Sequence, residues 1–76
     1  MPIAFVLLNV EPGGEDEVLQ SLKTIPEVRE AYRVYGVYDM IAKVEADSLG
    51  MVKDVVTLKM RHLPGVRSTL TTIAID

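Results

Sequence analysis

Residues 2–10, PIAFVLLNV, are apolar at both alternating sets of positions, the pattern of a strand covered on two sides. Pro12, Gly13 and Gly14 then open a loop. Glu15, Asp16 and Glu17 supply the acidic first turn that a helix dipole favours. Val18, Leu22 and Ile25 recur at helical spacing, with Leu19 beside them, until Pro26 removes a backbone donor and stops the helix. VREAYRVY (28–35) is rich in branched and aromatic residues and predicts a second strand. MIAKVEA (40–46) alternates cleanly, Met40, Ala42, Val44 and Ala46 against Ile41, Lys43 and Glu45, and predicts a third. Asp47-Ser48 can cap a second helix over 49–62, with an apolar stripe of Leu49, Val52, Val55 or Val56, Met60 and Leu63. Met51, Val55 and Leu58 form a second apolar set on another side, so this helix is expected to touch more than its own sheet. Pro64-Gly65 ends it, and residues 66–75 predict the last strand.

The order is β-α-β-β-α-β, and the halves resemble each other. IPEVR (25–29) and LPGVR (63–67) lie 38 residues apart, half the chain. At that offset Ile3, Ala4, Val6, Asp16, Val18, Pro26, Val28 and Arg29 meet identical residues at 41, 42, 44, 54, 56, 64, 66 and 67. Chance at about 6% per pair gives two or three, so an internal duplication is the better reading of eight. This architecture is the α+β, ferredoxin-like split-βαβ sandwich: an antiparallel sheet ordered 4-1-3-2 with both helices on one face. It puts the 36–39 turn on one sheet edge with the loop after strand 1 (11–14) and the start of strand 4 (65–68). Val18, Leu22, Met40, Ala42, Val44, Val52 and Val56 are the expected core. The other sheet face receives no helix, and pairing two such faces is the simplest way to cover it.

Composition strengthens the case for assembly. At 76 residues the chain is one domain, residues 1–76, and a domain this small buries only about 60% of its unfolded surface. Yet 49% of the residues are hydrophobic, a surplus that suits a partner surface. The formal charge of −3 speaks against a phosphate-binding surface, and strands 1 and 3 lack the aromatic pairs that stack bases. No apolar run reaches the roughly 18 residues of a membrane span, and no signal-peptide pattern opens the chain; a soluble cytoplasmic protein is expected.

Chemistry is sparse. There is no cysteine, and the single histidine, His62, has no partners at ligand spacing, so no metal or other cofactor is expected. Ser21, Ser48 and Ser68 lack a base. Gly13-Gly14 could cradle a phosphate, but three acidic residues follow and would repel one. Asp39 and Glu45, six residues apart on one strand, stand about 20 Å from each other, too far for acid–base work on one bond.

What remains is VYGVYDM (34–40), with two of the three tyrosines and a carboxylate around a glycine. Gly36 lets a backbone come close to a ligand. The peptide groups of 36–39 can bind a carboxylate or an ammonium, and Asp39 adds a full negative charge for an ammonium. Tyr35 and Tyr38 give apolar walls with polar tips. These parts suit a free amino acid; ordinary turn chemistry with tyrosines in an oligomer interface accounts for them as well.

YGVYDM resembles the G-x-Y-D turn of the effector (RAM) domain of Lrp/AsnC transcription regulators. HLPGVRSTLTTIAI is similar to that family's last helix end and Thr-rich strand, and the element order agrees over 2–75. The resemblance implies a domain that dimerises through its sheets, with dimers joining into octamers or decamers and amino-acid effectors bound between dimers. Carried over, it places Gly36, Tyr38 and Asp39 in the pocket, with Val37 and Met40 adjacent. Tyr35, Ser68 and Thr69 join them from the sheet-edge placement. Family regulators carry an N-terminal helix-turn-helix domain that this sequence lacks, so direct DNA binding is not expected. A stand-alone sensor is, one that co-assembles with a full-length Lrp/AsnC regulator or binds an enzyme. Two alternatives stay open: a structural oligomerisation domain without a ligand, and a small dimeric α+β-barrel enzyme. The all-apolar core disfavours the enzyme, and an ACT-type sensor fits the two motifs less well.

Overall fold

Four strands, β1 (Ile3–Val10), β2 (Val28–Arg33), β3 (Met40–Glu45) and β4 (Val66–Ala74), form one antiparallel sheet in the order β2-β3-β1-β4. This is the predicted 4-1-3-2 order. Helices α1 (Glu15–Lys23) and α2 (Leu49–Asp54) follow β1 and β3. The computed structural model describes residues 1–75.

The core lies between the helices and one sheet face. Ala4, Val6, Leu8 and Val10 of β1 and Met40, Ala42 and Val44 of β3 point into it, meeting Val18 and Leu22 of α1 and Val52 of α2. All seven expected core positions are buried. Ser48 caps α2 by accepting a hydrogen bond from the Met51 N–H at 3.1 Å. The end of α1 is set by Thr24, whose N–H and hydroxyl both donate to the Ser21 carbonyl two residues before Pro26.

Two elements differ from expectation. The second helix is α-helical only to Asp54; Val55–Met60 widen to a π-helix, closed by the Arg61 N–H on the Val56 carbonyl at 2.9 Å. Adjacent branched residues favour the α-helix less, and the widened turn carries Val55, Val56 and Met60 buried while Leu49 is left exposed. Strand β2 stops at Arg33, and one residue on the Val34 N–H donates to the Asp39 carbonyl, closing a hairpin loop of Tyr35, Gly36, Val37 and Tyr38.

The duplication is visible in the turns before β2 and β4. The Val28 N–H donates to the Ile25 carbonyl and the Val66 N–H to the Leu63 carbonyl. The turn carbonyls of Glu27 and Gly65 accept from Glu45 and Glu11. Strand register slips at Arg29 in one half and at Arg67 in the other, each an extra residue, and these arginines pair with Glu45 and Glu11. Gly65 is constrained twice over: its φ is 95° and an added Cβ would stand 3.1 Å from Val18 Cγ2. Gly65→Ala is expected to cost roughly 1–3 kcal/mol in a urea titration.

The Lys59 ammonium donates to Glu27 Oε1 at 3.0 Å and ties the π-turn to the start of β2. That hydrogen bond holds the Glu27 carboxyl below its ordinary value of 4.5. A depressed folded-state value means stabilisation that is present above the ordinary value and lost as pH falls through the folded one. Melting temperature should therefore decline below about pH 4.5, and less steeply in Glu27→Gln.

Candidate functional site

The corner where β1 ends, β3 begins and β4 starts is built around Asp39. Its N–H donates to the Leu8 carbonyl and its carbonyl accepts from Val34, both at 2.9 Å. Its carboxylate Oδ2 accepts from the Val10 N–H at 2.8 Å. Asp39 thus clamps the hairpin to the end of β1, and the other carboxylate oxygen has no protein hydrogen bond among the described residues.

Beside this clamp lies a cavity of about 370 Å³ lined by Asn9, Val10, Asp39, Arg67 and Ser68. Asn9 alternates with buried Leu8 and Val10, and Ser68 is its register partner on β4, so both sit on the helix-free side of the sheet. The Asn9 side-chain amide donates to Ser68 Oγ at 3.2 Å and joins the two strands across the cavity. Arg67 is the bulged residue of β4; without the bulge its side chain would follow the strand's alternation. Its guanidinium reaches Glu11 only at 3.7 Å, through two largely exposed side chains, a contact of little energetic weight. One wall therefore carries a carboxylate, another a guanidinium, with an amide and a hydroxyl between them.

The expected site residues divide. Asp39 and Ser68 line the cavity. Tyr38 is half-buried beside Asp39, whereas Tyr35 and Val37 project fully into solvent at 106% and 88% exposure. Around Gly36 the space is open, with nothing within 4 Å of where a Cβ would stand. Met40 stands apart from its expected place: its side chain is wholly buried in the core, because the residue after Asp39 points to the helix side. Thr69 likewise lies on the helix side of β4, on the wall of a different groove. Asn9, Val10 and Arg67 are cavity residues that sequence reasoning missed. Two of them left signals: Asn9 is the one polar residue in the run PIAFVLLNV, and Arg67 repeats Arg29.

Among the described residues no group of three or more His, Asp or Glu side chains could hold a metal ion, and no helix is long and apolar enough to cross a membrane.

Known proteins resemble this chain in sequence and fold over nearly its whole length. The FL11 HTH-type transcriptional regulator of Pyrococcus horikoshii is 33% identical over 73 residues, which are 96% of this chain and 48% of that protein. The chain thus spans about half the length of the curated relatives it matches. The crystal structure of FFRP-DM1 superposes with a TM-score of 0.94 at 47% identity, covering 99% of this chain and all of that one. The transcriptional regulator NMB0573 of Neisseria meningitidis, solved in complex with L-Met, shares the fold at a TM-score of 0.90 and 14% identity, over 99% of this chain and 50% of that one. The family model of the Lrp/AsnC ligand binding domain matches residues 3–76, and the chain belongs to that family.

Proposed function

We propose that this domain binds a free amino acid at the Asp39 corner and reports it by a change of assembly. The observation that carries this reading is the pairing of opposite charges, Asp39 and Arg67, across one small cavity. A zwitterion needs both. The α-ammonium pairs with the free oxygen of Asp39, and the α-carboxylate takes the Arg67 guanidinium. The Asn9 amide and Ser68 hydroxyl sit between them. The volume is in the range of about 300–1,000 Å³ usual for small-molecule sites, and a fold neighbour was solved with L-Met bound.

The cavity is open in one chain, and a neighbouring subunit is its natural lid. Tyr35 and Val37 project from the same loop with nothing of their own chain to rest on, as residues that close a neighbour's site would. Gly36, with open space beside it, allows another backbone to approach. The helix-free sheet face supplies the first contact of assembly. Phe5, Leu70 and Tyr32 lie on it at 39%, 47% and 55% exposure, flanking half-buried Leu7 and Ile41. A dimer through this face, joined into larger octameric or decameric rings at the loops, places the effector between dimers. An effector that bridges subunits favours the assembled state by mass action.

The role is regulatory rather than enzymatic. Relatives are named as transcriptional regulators, and the cavity holds no acid–base pair matched to a reaction. With a formal charge of −3, these 76 residues are poorly suited to operator contact, and co-assembly with a full-length Lrp/AsnC regulator would supply it.

Sedimentation velocity with and without each amino acid tests the mechanism. One or a few amino acids should shift the distribution toward larger species. Phe5→Lys, which places a charge in the centre of the open sheet face, should reduce the protein to monomers while leaving its secondary structure intact. A distribution that no amino acid moves would contradict ligand-driven assembly.

A further inference from the structure

The two edges of the sheet are unlike. Strand β2, at one edge, carries Arg29, Glu30 and Arg33 in six residues and is bulged, the usual protection against further pairing. Strand β4, at the other edge, runs from Ser68 to Ala74 without a charge, a proline or a glycine. Its outward groups can be identified. The Leu8 carbonyl bonds toward β3, so Leu8, Val6 and Ala4 spend their backbone groups on that side. Their β4 partners, Thr69, Thr71 and Ile73, then present N–H and C=O to the free edge.

Alongside this edge runs a groove of about 440 Å³ between β4 and the second helix, with Lys53 and Arg61 on its helix wall and Thr69, Thr71 and Ile73 on its strand wall. Five of the chain's cations form ion pairs; Lys53 and Arg61 form none among the described residues. In a chain of formal charge −3, two unpaired cations beside an unprotected edge select what can lie there.

We propose that the β4 edge takes an extended acidic segment of a partner protein as a fifth strand. Lys53 and Arg61 are eight residues apart, at most about 12 Å along the axis at α-helical rise and somewhat less through the π-turn. Carboxylates at positions i and i+4 of a strand are about 13 Å apart and point to the same face. The segment therefore reads acidic-x-apolar-x-acidic, its central side chain resting on Val56 and Ile73. Main-chain bonds to Thr69, Thr71 and Ile73 supply affinity, and the two cations set charge selectivity.

The peptide acetyl-Ser-Glu-Thr-Val-Thr-Glu-Ser-amide, added to the isotope-labelled full chain, tests this by amide hydrogen exchange. The Thr69, Thr71 and Ile73 amides should slow, while those of Leu70 and Thr72, already bonded to β1, should not change. Lys53→Glu with Arg61→Glu, both exposed positions, should weaken binding roughly tenfold or more, and a peptide with lysines for glutamates should prefer that variant. Binding without slowing of the three amides, or indifference to the charge exchange, overturns the proposal. So does finding the three amides already protected without peptide, since the edge is then covered by a second copy of the chain.

Discussion

Asp39→Asn is expected to abolish the response to an amino-acid effector while leaving the fold intact. The asparagine side-chain oxygen still accepts from the Val10 N–H, whose bond to Asp39 measures 2.8 Å, so the hairpin clamp survives. The negative charge proposed to pair with the ammonium does not. Loss of one partner of a desolvated charge pair costs about 2–5 kcal/mol, at least roughly thirtyfold in affinity, in a calorimetric titration. Asp39→Ala has a different outcome. It also leaves the half-buried Val10 N–H without an acceptor, which costs about 1–3 kcal/mol of folding stability on its own. Only the asparagine variant separates sensing from structure. If Asp39→Asn binds as the wild type does, the ammonium assignment fails.

The second large effect belongs to the core. Leu22 is wholly buried beneath the sheet, and Leu22→Ala should cost about 2–5 kcal/mol. Domains as a class have only about 5–15 kcal/mol in total. In a chain of this size, a melting temperature lower by roughly 10–30 °C is the expected result. Leu58→Ala, at a position 66% exposed, removes as much side chain but should change stability by no more than about 0.5 kcal/mol. Because assembly and folding are linked, both variants should be compared at one protein concentration.

The fold was legible because its periodicities do not conflict. Strict alternation in MIAKVEA, helical spacing of Val18 and Leu22, and a repeated P-x-V-R each name one element or boundary. The repeat carried more than it promised: the same arginine is the bulged residue in both halves, and the same turn bonds recur. What periodicity could not show was the widening of the second helix after Asp54, which depends on how Val55 and Val56 pack on the sheet.

The site was half legible. Asp39 stood out because a carboxylate beside a hairpin glycine needs a reason, and the family resemblance named it. Its bond to the Val10 N–H joins residues 29 apart and has no trace in local sequence. Arg67 entered the cavity through a bulge, a register feature that neighbouring residues do not encode. Met40 was drawn in by adjacency to Asp39, although alternation sends it to the core.

The most direct test of the central claim is a melting-temperature scan of the wild-type protein against all twenty amino acids at millimolar concentration. A ligand at a hundred times its dissociation constant stabilises by about 2.7 kcal/mol, several degrees in a domain this small. The Asp39–Arg67 cavity predicts that one or a few amino acids raise the melting point, and that a ligand lacking either the α-ammonium or the α-carboxylate does not. If all twenty leave it unchanged, the corner is an assembly contact and the domain senses no amino acid.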